Sequence, residues 1–187
     1  EIGHRSKEFE KLMNSLQENI RNIFNVPTNY FTLFLQGGAT FQNTFIANNF
    51  DKRDKDLGCL VTGTWGKNTF DDFSKIRETK LIELSQDEIE NFVESGEDLK
   101  NVDYLHLTSN ETINGVQLRE FNKINHDSLL IDMSSDIGSY RFEWDNIAYI
   151  YAGAQKNMGI PGVSICIGDE KHLNSGDNSK YLSLIHI

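Results

Sequence analysis

Cysteine, basic residues and long apolar runs are scarce in this 187-residue sequence, and each shortage argues against a class of protein. The two cysteines, Cys59 and Cys166, stand far apart inside apolar stretches, which indicates buried reduced thiols rather than a disulfide framework or a metal site. The 18 Lys and Arg face 28 Asp and Glu, and the net charge of −10 argues against a nucleic-acid surface. No apolar run reaches the ~18 residues that a membrane-spanning helix needs. A cytoplasmic globular protein fits these shortages, and so do many other proteins.

The apolar residues that are present predict alternating helices and short strands. Apolar residues recur with helical spacing at positions 9–24, and Ser6 is placed to cap the helix that this pattern predicts. Two more helices are expected at positions 41–50 and around Phe70, Phe73 and Ile76. Strands are expected at positions 30–35, 59–62, 104–108, 129–131, 147–151 and 163–167. Short apolar strands separated by helices indicate an α/β fold with a mostly parallel or mixed sheet.

Polar clusters follow five of these predicted strands. They lie at positions 36–40, 62–66, 109–112, 132 and 153–156. In open α/β sheets, ligands bind outside the carboxyl ends of the strands. The five clusters therefore predict one shared site.

The first cluster contains the loop Gly37-Gly38-Ala39-Thr40. Glycines at the start of a helix let backbone N–H groups approach a phosphate, and the helix dipole favours the negative charge. A tight strand-to-helix turn without a ligand would have the same sequence. The loop lacks the lysine of a P-loop and the third glycine of a dinucleotide fingerprint, so a nucleotide is not indicated.

Asp132 and Lys156 indicate a more specific chemistry than the glycine loop does. A carboxylate at the end of a buried strand needs a partner, and either a pyridinium N–H or a capped turn beside Ser134 would supply one. Lys156 follows the next strand among small residues, where a lysine in a dry pocket can form a Schiff base, although most loop lysines are simply solvated. The two residues are 156 − 132 = 24 positions apart, about one strand and its connection. We therefore expect them at neighbouring strand ends.

Weaker candidates surround this pair. Trp65 can stack on a flat cofactor ring or belong to the core, and the Thr112 hydroxyl can serve a phenolic oxygen. His4 and Arg5 form a small basic pair that suits carboxylate or phosphate recognition, or that is merely solvated. The other histidines have no ligand spacing, so no metal site is predicted.

Five stretches of the sequence resemble the phosphoserine aminotransferases, a class V family of fold-type I pyridoxal-phosphate enzymes. They read HRSKEF at 4–9, LQGGAT at 35–40, SNETI with GVQ at 109–117, DMSSDI at 132–137 and YAGAQKN at 151–157. Their order and spacing agree with the family from Glu1 to about Gly168. The GAQKN string joined to the DMSS strand end is highly specific, whereas the glycine loop is generic. The resemblance implies the large domain of a pyridoxal-phosphate-dependent transferase, with three α/β/α layers.

The resemblance also implies a role for each matching position. Lys156 would be the catalytic residue, because it would carry pyridoxal 5'-phosphate and move a proton between the substrate carbon and the cofactor carbon. Asp132 would pair with the pyridine nitrogen, Trp65 would stack on the ring and touch the substrate, and Thr112 would lie near the ring hydroxyl. The cofactor phosphate would be held by Ala39, Thr40 and Gln155, and the substrate phosphate by His4 and Arg5.

The implied reaction transfers an amino group from glutamate to 3-phosphohydroxypyruvate and gives phosphoserine and 2-oxoglutarate. The family works in serine and pyridoxine biosynthesis on small-molecule substrates, as a cytoplasmic homodimer without nucleic-acid or membrane partners. Another class V enzyme, such as a cysteine desulfurase, is the alternative, but that family usually has a histidine where Gln155 stands. The His4-Arg5 pair also favours a phosphorylated substrate.

The sequence departs from the family at several points. Gly159-Ile160-Pro161-Gly162 replaces a Gly-Pro-Ala-Gly-like turn, and some members have an arginine where Thr40 stands. We expect residues 1–187 to be a partial large domain, because the family's N-terminal segment and its C-terminal small domain have no counterpart here. The tail at 181–187 does not follow the family pattern. A truncated, non-catalytic fragment that binds cofactor is therefore a further hypothesis.

Overall fold

A computed structural model describes residues 2–50, 55–95, 99 and 101–172, and a seven-stranded sheet forms its centre. The helices are α1 (Lys7–Phe24), α2 (Ala39–Asn49), α3 (Thr64–Ser74) and α4 (Ile89–Ser95), with short 3₁₀ helices at Gln86–Glu88, Phe121–Lys123 and Glu170–His172. The strands are β1 (Tyr30–Gln36), β2 (Asp56–Val61), β3 (Thr79–Glu83), β4 (Val102–Thr108), β5 (Asn110–Glu111), β6 (Val116–Gln117), β7 (Leu129–Asp132), β8 (Ile147–Gly153) and β9 (Val163–Asp169).

The central sheet has the strand order β1-β9-β8-β7-β4-β2-β3. Strand β9 is antiparallel to both of its neighbours, and the remaining pairs are parallel. The carboxyl ends of the other six strands therefore meet at one edge of the sheet. A separate antiparallel ladder joins β5 to β6. The predicted mixed, mostly parallel sheet is confirmed.

Helix α1 begins and ends where its sequence directs. The Ser6 side chain accepts a hydrogen bond from the Phe9 amide at 3.2 Å, and Asn25 ends the helix with a left-handed φ of 50°. Gln17 Nε2 then donates to the Thr32 carbonyl of β1 at 3.0 Å. The last turn of α1 lies near the start of β1, where the Arg21 guanidinium donates to the Pro27 carbonyl. Helix α1 thus runs antiparallel to β1.

Two buried clusters lie on opposite faces of the sheet. One joins the sheet to α1 and α4 through Ile20 and Phe92, and the other joins it to α2 and α3 through Ile46 and Phe73. The helices thus cover both faces, which gives the three-layer α/β/α arrangement that the resemblance implies. Both cysteines are buried and free.

The observed boundaries differ from the predicted ones by a few residues. Helix α2 begins at Ala39 rather than at 41, and β2 spans Asp56–Val61 rather than 59–62. Ile76 was expected on one face of this helix with Phe70 and Phe73, but it lies beyond Ser74, the last residue of α3, so that prediction was wrong. The charged positions 51–54 and the tail at 181–187 lie outside the described residues.

Candidate active site

A cavity of about 500 Å³ opens at the carboxyl ends of β4, β7 and β8. The first turn of α2 forms one wall, a polar side of α3 forms another, and the segments after the three strands form the floor. Its position follows from the topology, because neighbouring parallel strands bring their carboxyl ends to the same place. The predicted shared site is therefore a real concavity in the fold.

Asp132 and Lys156 both line this cavity, at the ends of the neighbouring strands β7 and β8. The Ser134 amide donates to Asp132 Oδ1 at 2.8 Å. Burial raises the pKa of the Asp132 carboxyl, while the Ser134 hydrogen bonds and the charge of Lys156 act in the opposite direction. The carboxylate therefore lies where a cationic partner would be stabilising.

Trp65 places an aromatic ring over the same space. The Lys156 ammonium nitrogen lies 5.6 Å from the centroid of the Trp65 ring, which is 39% exposed. The indole Nε1 donates to Thr112 Oγ1 at 3.0 Å, and this bond fixes the tilt of the ring. Thr112 does not itself line the cavity. Its contact with the site runs through Trp65.

Glu111 fixes the start of α3, and therefore Trp65. Its side chain is fully buried, and its two carboxylate oxygens accept the amides of Trp65 at 2.9 Å and Gly66 at 2.6 Å. A carboxylate at a helix N-terminus satisfies unpaired N–H groups and complements the helix dipole. A Cβ at Gly63 would lie 2.7 Å from Glu111 Cδ, so glycine is needed for this approach. The sequence reasoning missed Glu111, because its helix lies 46 residues away.

The first turn of α2 faces the cavity with its backbone N–H groups. Gly38 occupies the N-cap position, where no side chain caps the helix, and Gly37 turns the chain with a φ of 93°. Ala39 and Thr40 line the cavity next to Gln155. A helix start of this kind is a site for an anion such as a phosphate. The geometry therefore fits the predicted phosphate position.

One face of α3 supplies a polar wall that the sequence reasoning missed. Asn68, Thr69 and Asp72 line the cavity three, four and seven residues after Trp65, which places them on the same side of the helix as Trp65. Asp72 accepts hydrogen bonds from Asn43 Nδ2 at 3.1 Å and from Lys75, and these lower its pKa. The polar residues at helical spacing were a usable signal, but only the apolar face of this helix was considered.

A buried chain of hydrogen bonds supports Asn43 from below. Tyr151 OH donates to Asn43 Oδ1 at 3.3 Å, and His106 Nε2 lies 3.0 Å from the same hydroxyl. Burial lowers the pKa of His106 to about 3, so the imidazole is neutral at ordinary pH. The chain reaches from the core under α3 to the wall of the cavity.

The structure brings most of the predicted residues together. Ala39, Thr40, Trp65, Asp132, Gln155 and Lys156 all line the cavity, and Thr112 contacts Trp65. His4 and Arg5 do not line it; they are exposed in the turn before α1. Because α1 is antiparallel to β1, that turn lies at the same edge of the sheet as the cavity mouth.

The side chains present fit an aromatic ligand with a ring nitrogen, a carbonyl and an anionic arm. Asp132 suits the nitrogen, Lys156 suits the carbonyl, and the uncapped start of α2 suits the anion. Pyridoxal phosphate has all three groups. Among the described residues, no group of three or more His, Cys, Asp or Glu is arranged to hold a metal ion. The helices described in the structure include none with the length and hydropathy to cross a membrane.

A lysine and a carboxylate on adjacent strand ends, under an aromatic ring and beside a free helix start, define the class of protein. The chain belongs to the aminotransferase class-V family, whose model matches residues 1–184. Within that family it is similar to phosphoserine aminotransferases. The enzyme of that name from Geobacillus kaustophilus is 40% identical over 171 residues, which cover 89% of this chain and 47% of the relative.

Solved structures carry the same likeness. The phosphoserine aminotransferase from Bacillus circulans subsp. alkalophilus matches with a TM-score of 0.84 and 34% identity, covering 96% of this chain and 51% of that one. The PLP-bound phosphoserine aminotransferase from Trichomonas vaginalis matches with a TM-score of 0.82 and 28% identity, covering 100% of this chain and 57% of that one. The chain therefore spans about half the length of the relatives that it matches.

Proposed function

We propose that residues 1–187 are part of the cofactor-binding large domain of a phosphoserine aminotransferase. The reaction is the pyridoxal-phosphate-dependent exchange of an amino group between glutamate and 3-phosphohydroxypyruvate, in serine biosynthesis. One observation supports this most strongly: Lys156 and Asp132 end neighbouring strands and line one cavity, with the lysine amine 5.6 Å from the Trp65 ring centroid. The 40% identity to a phosphoserine aminotransferase supports the choice of reaction within the class.

Each cavity residue would have a distinct role towards the cofactor. Pyridoxal phosphate, when bound, supplies an electron-withdrawing ring that stabilises negative charge on the substrate carbon. The Lys156 amine would hold the cofactor carbonyl and then carry a proton between the two reacting carbons. The Asp132 carboxylate would pair with the ring nitrogen and keep it protonated, and the Trp65 ring would cover one face.

The anionic arm of the cofactor would lie against the start of α2. The amides of Ala39 and Thr40, the Thr40 hydroxyl and the Gln155 amide would donate to it. A Cβ at Gly153 would lie 2.6 Å from Gln155 Oε1, so glycine at that position lets the Gln155 side chain fold against the strand end. The phosphate of the substrate would bind His4 and Arg5, which lie outside the cavity at the same edge of the sheet.

We also propose a homodimer that works in the cytoplasm and contributes to pyridoxine biosynthesis, as the family resemblance implies. Two large apolar side chains are exposed near the site, and a subunit contact would bury their surface. Phe41 in the first turn of α2 is 49% exposed, and Ile160 beyond Lys156 is 74% exposed. The free, buried Cys59 and Cys166 support a reducing compartment.

The first test is the absorbance of the full chain mixed with pyridoxal phosphate. We expect a band at roughly 400–430 nm that borohydride fixes on Lys156 and that Lys156→Ala lacks. Lys171→Ala is the matched control, because Lys171 pairs with Asp169 outside the cavity. A band that persists in Lys156→Ala would contradict the assignment of the lysine.

The second test is activity, measured on the longest form of the chain that its gene encodes. Formation of phosphoserine from 3-phosphohydroxypyruvate and glutamate supports the proposal. The double variant His4→Ala, Arg5→Ala should then raise KM for the phosphorylated substrate more than it weakens cofactor binding. Sulfur release from cysteine without phosphoserine formation would move the protein to the desulfurase alternative.

A further inference from the structure

Thr108 is a residue of the cavity that the proposed function does not use. It ends β4, is 6% exposed and lines the cavity, yet its hydroxyl has no hydrogen-bond partner among the described residues. A buried hydroxyl that makes no hydrogen bond reduces stability, and native proteins retain few of them. A hydroxyl in this destabilising position, at the end of a strand beneath the cavity, suggests a function in the site.

Asp132 lies opposite Thr108 on the neighbouring strand. Thr108 and Asp132 are register partners on the parallel strands β4 and β7, and both line the same cavity, so their side chains lie on one face of the sheet. Neighbouring strands are only about 4.8 Å apart, which brings the two side chains within reach of each other after a rotation about χ1. The hydroxyl oxygen is itself buried, so it acts on a protein neighbour rather than on a ligand.

We propose that Thr108 is a positioning residue whose hydroxyl donates a hydrogen bond to the Asp132 carboxylate whenever that carboxylate is ionised. The bond would hold the carboxylate charged and aimed at a protonated ring nitrogen in the cavity. This role rests on the proposed function for its ligand, because only a ligand with such a nitrogen makes use of the ionised carboxylate.

The charges around Asp132 have opposing effects on its pKa, so an additional hydrogen-bond donor would favour the ionised carboxylate. Burial raises the pKa of Asp132, and the nearby Asp136 raises it further, while Lys156 and the Ser134 hydrogen bonds lower it. The other ionisable groups that line the cavity or lie beneath it are Asp71, Asp72 and Lys75 after or within α3, His106 on β4 and Tyr151 on β8. A hydroxyl donor favours the ionised carboxylate without adding a further charge.

The test compares three variants of the full chain in a titration with pyridoxal phosphate. Thr108→Val keeps the shape and removes the hydroxyl, and it should weaken binding roughly tenfold, the usual effect of losing a hydrogen bond to a charged group. Thr108→Ser keeps the hydroxyl and should bind within about twofold of the wild type. Equal binding by Thr108→Val and the wild type would overturn the proposal.

Thr32→Val is the matched control. Thr32 is also buried, and its hydroxyl also has no partner among the described residues, but its strand β1 meets α1 rather than the cavity. Thr32→Val should melt at an equal or higher temperature, by roughly 2 °C, because it removes an unsatisfied group, whereas Thr108→Val should gain no such stability wherever Asp132 is ionised, because it also removes the proposed bond. Only Thr108→Val should lose affinity. A similar loss in Thr32→Val would assign the effect to packing and refute the specific role.

The ligand and the carboxylate supply two further controls. An analogue of pyridoxal phosphate with carbon in place of the ring nitrogen should bind the wild type and Thr108→Val equally. In an Asp132→Asn background, Thr108→Val should change affinity by less than about twofold, because the acceptor charge is gone. A full tenfold loss in either experiment would show that Thr108 acts elsewhere.

A ligand-free measurement separates this proposal from the proposed function. The titration of the Asp132 carboxyl carbon is followed by ¹³C NMR, with its signal assigned by Asp132→Asn. Thr108→Val should shift the midpoint upward by about one pH unit. If the wild type binds no pyridoxal phosphate, the proposed function fails, and the shift alone still decides whether the hydroxyl serves Asp132. An unchanged midpoint overturns the role of Thr108, whatever the ligand.

Discussion

The two faces of the central sheet are built from different chemistry, although both are buried. The face under α1 and α4 is packed with aliphatic side chains such as Leu105, Leu107 and Ile131. The face under α2 and α3 carries hydroxyl and imidazole groups, among them Tyr151 and His106. The aliphatic face also contains hydrogen bonds, such as those that the Tyr30 hydroxyl donates to the Trp144 and Ile147 carbonyls, but none of these three residues lines the cavity.

On the polar face, the helices are held by hydrogen bonds, which have defined directions, as well as by buried apolar area. Hydrogen bonds have preferred angles, so a bond from a strand to a helix fixes the rotation of the helix about its axis, which apolar contact does poorly. The Tyr151 bond to Asn43 therefore orients the start of α2, where Ala39 and Thr40 face the cavity. The comparison teaches that one face mainly supplies stability and the other mainly supplies geometry.

The largest expected effect is a loss of stability on the aliphatic face. Leu107→Ala should lower the free energy of unfolding by about 3 kcal/mol, because Leu107 is fully buried and a cavity would remain. Affinity for pyridoxal phosphate should be unchanged wherever the variant is folded. Denaturant unfolding and the absorbance titration measure the two quantities. Ile113→Ala is the control, since Ile113 is 62% exposed. A selective loss of affinity in Leu107→Ala would break the division between the faces.

The second effect is a pH dependence that belongs to the polar face. The folded pKa of His106 is about 3, against an ordinary histidine pKa of 6.5, because burial disfavours the charged form. Below pH 6.5 the His106 imidazole therefore binds a proton in the unfolded chain but not in the folded chain. His106 thus reduces stability by about 1.4 kcal/mol for each pH unit between 6.5 and 3.

His106→Leu removes that proton from the unfolded chain. The free energy of unfolding of the wild type should fall more steeply than that of His106→Leu between pH 6.5 and 5, and the two slopes should be equal above pH 7.5. Denaturant unfolding at half-unit pH intervals measures the difference. Parallel curves across the whole range would mean that the imidazole is solvated in the folded chain.

The third effect tests whether Glu111 serves the geometry of the site. Glu111→Gln keeps one acceptor but loses the charge that caps α3, and it should cost about 1 kcal/mol of stability. It should also weaken pyridoxal-phosphate binding severalfold, because the Trp65 amide loses a charged acceptor. Fluorescence quenching of Trp65 follows the ligand, with Trp65→Phe as the blank for the buried Trp144. An affinity equal to that of the wild type would leave Glu111 a purely structural cap.

The success of the sequence-based prediction divides along the same line. The positions of residues next to a strand end, such as Asp132 and Lys156, could be predicted because topology alone brings strand ends together. Glu111, Asn43 and Thr108 were not found. The roles of Glu111 and Asn43 depend on contacts with segments 46 and 108 residues away, and that of Thr108 on its register with Asp132. Local patterns give elements and their order, whereas the pairing of buried polar groups is set only when the layers pack.

The smallest effect is expected when one hydrogen bond of the polar face is replaced by an apolar contact like those of the aliphatic face. Tyr149 OH donates to Gln42 Oε1 at 2.8 Å, and the Gln42 Nε2 group is buried with no hydrogen-bond partner among the described residues. Neither residue lines the cavity. Tyr149→Phe alone leaves the Gln42 oxygen without this donor and should cost about 1 kcal/mol.

The double variant Tyr149→Phe, Gln42→Leu should be within about 0.5 kcal/mol of the wild type, because both polar partners are then replaced by apolar groups of similar shape. Its affinity for pyridoxal phosphate should be unchanged. Tyr151→Phe is the contrasting variant, because its hydroxyl contacts Asn43, which does line the cavity. If the double variant loses affinity as Tyr151→Phe does, the whole polar face acts as one unit. If it does not, the positioning function is confined to the hydrogen bonds that reach the cavity wall.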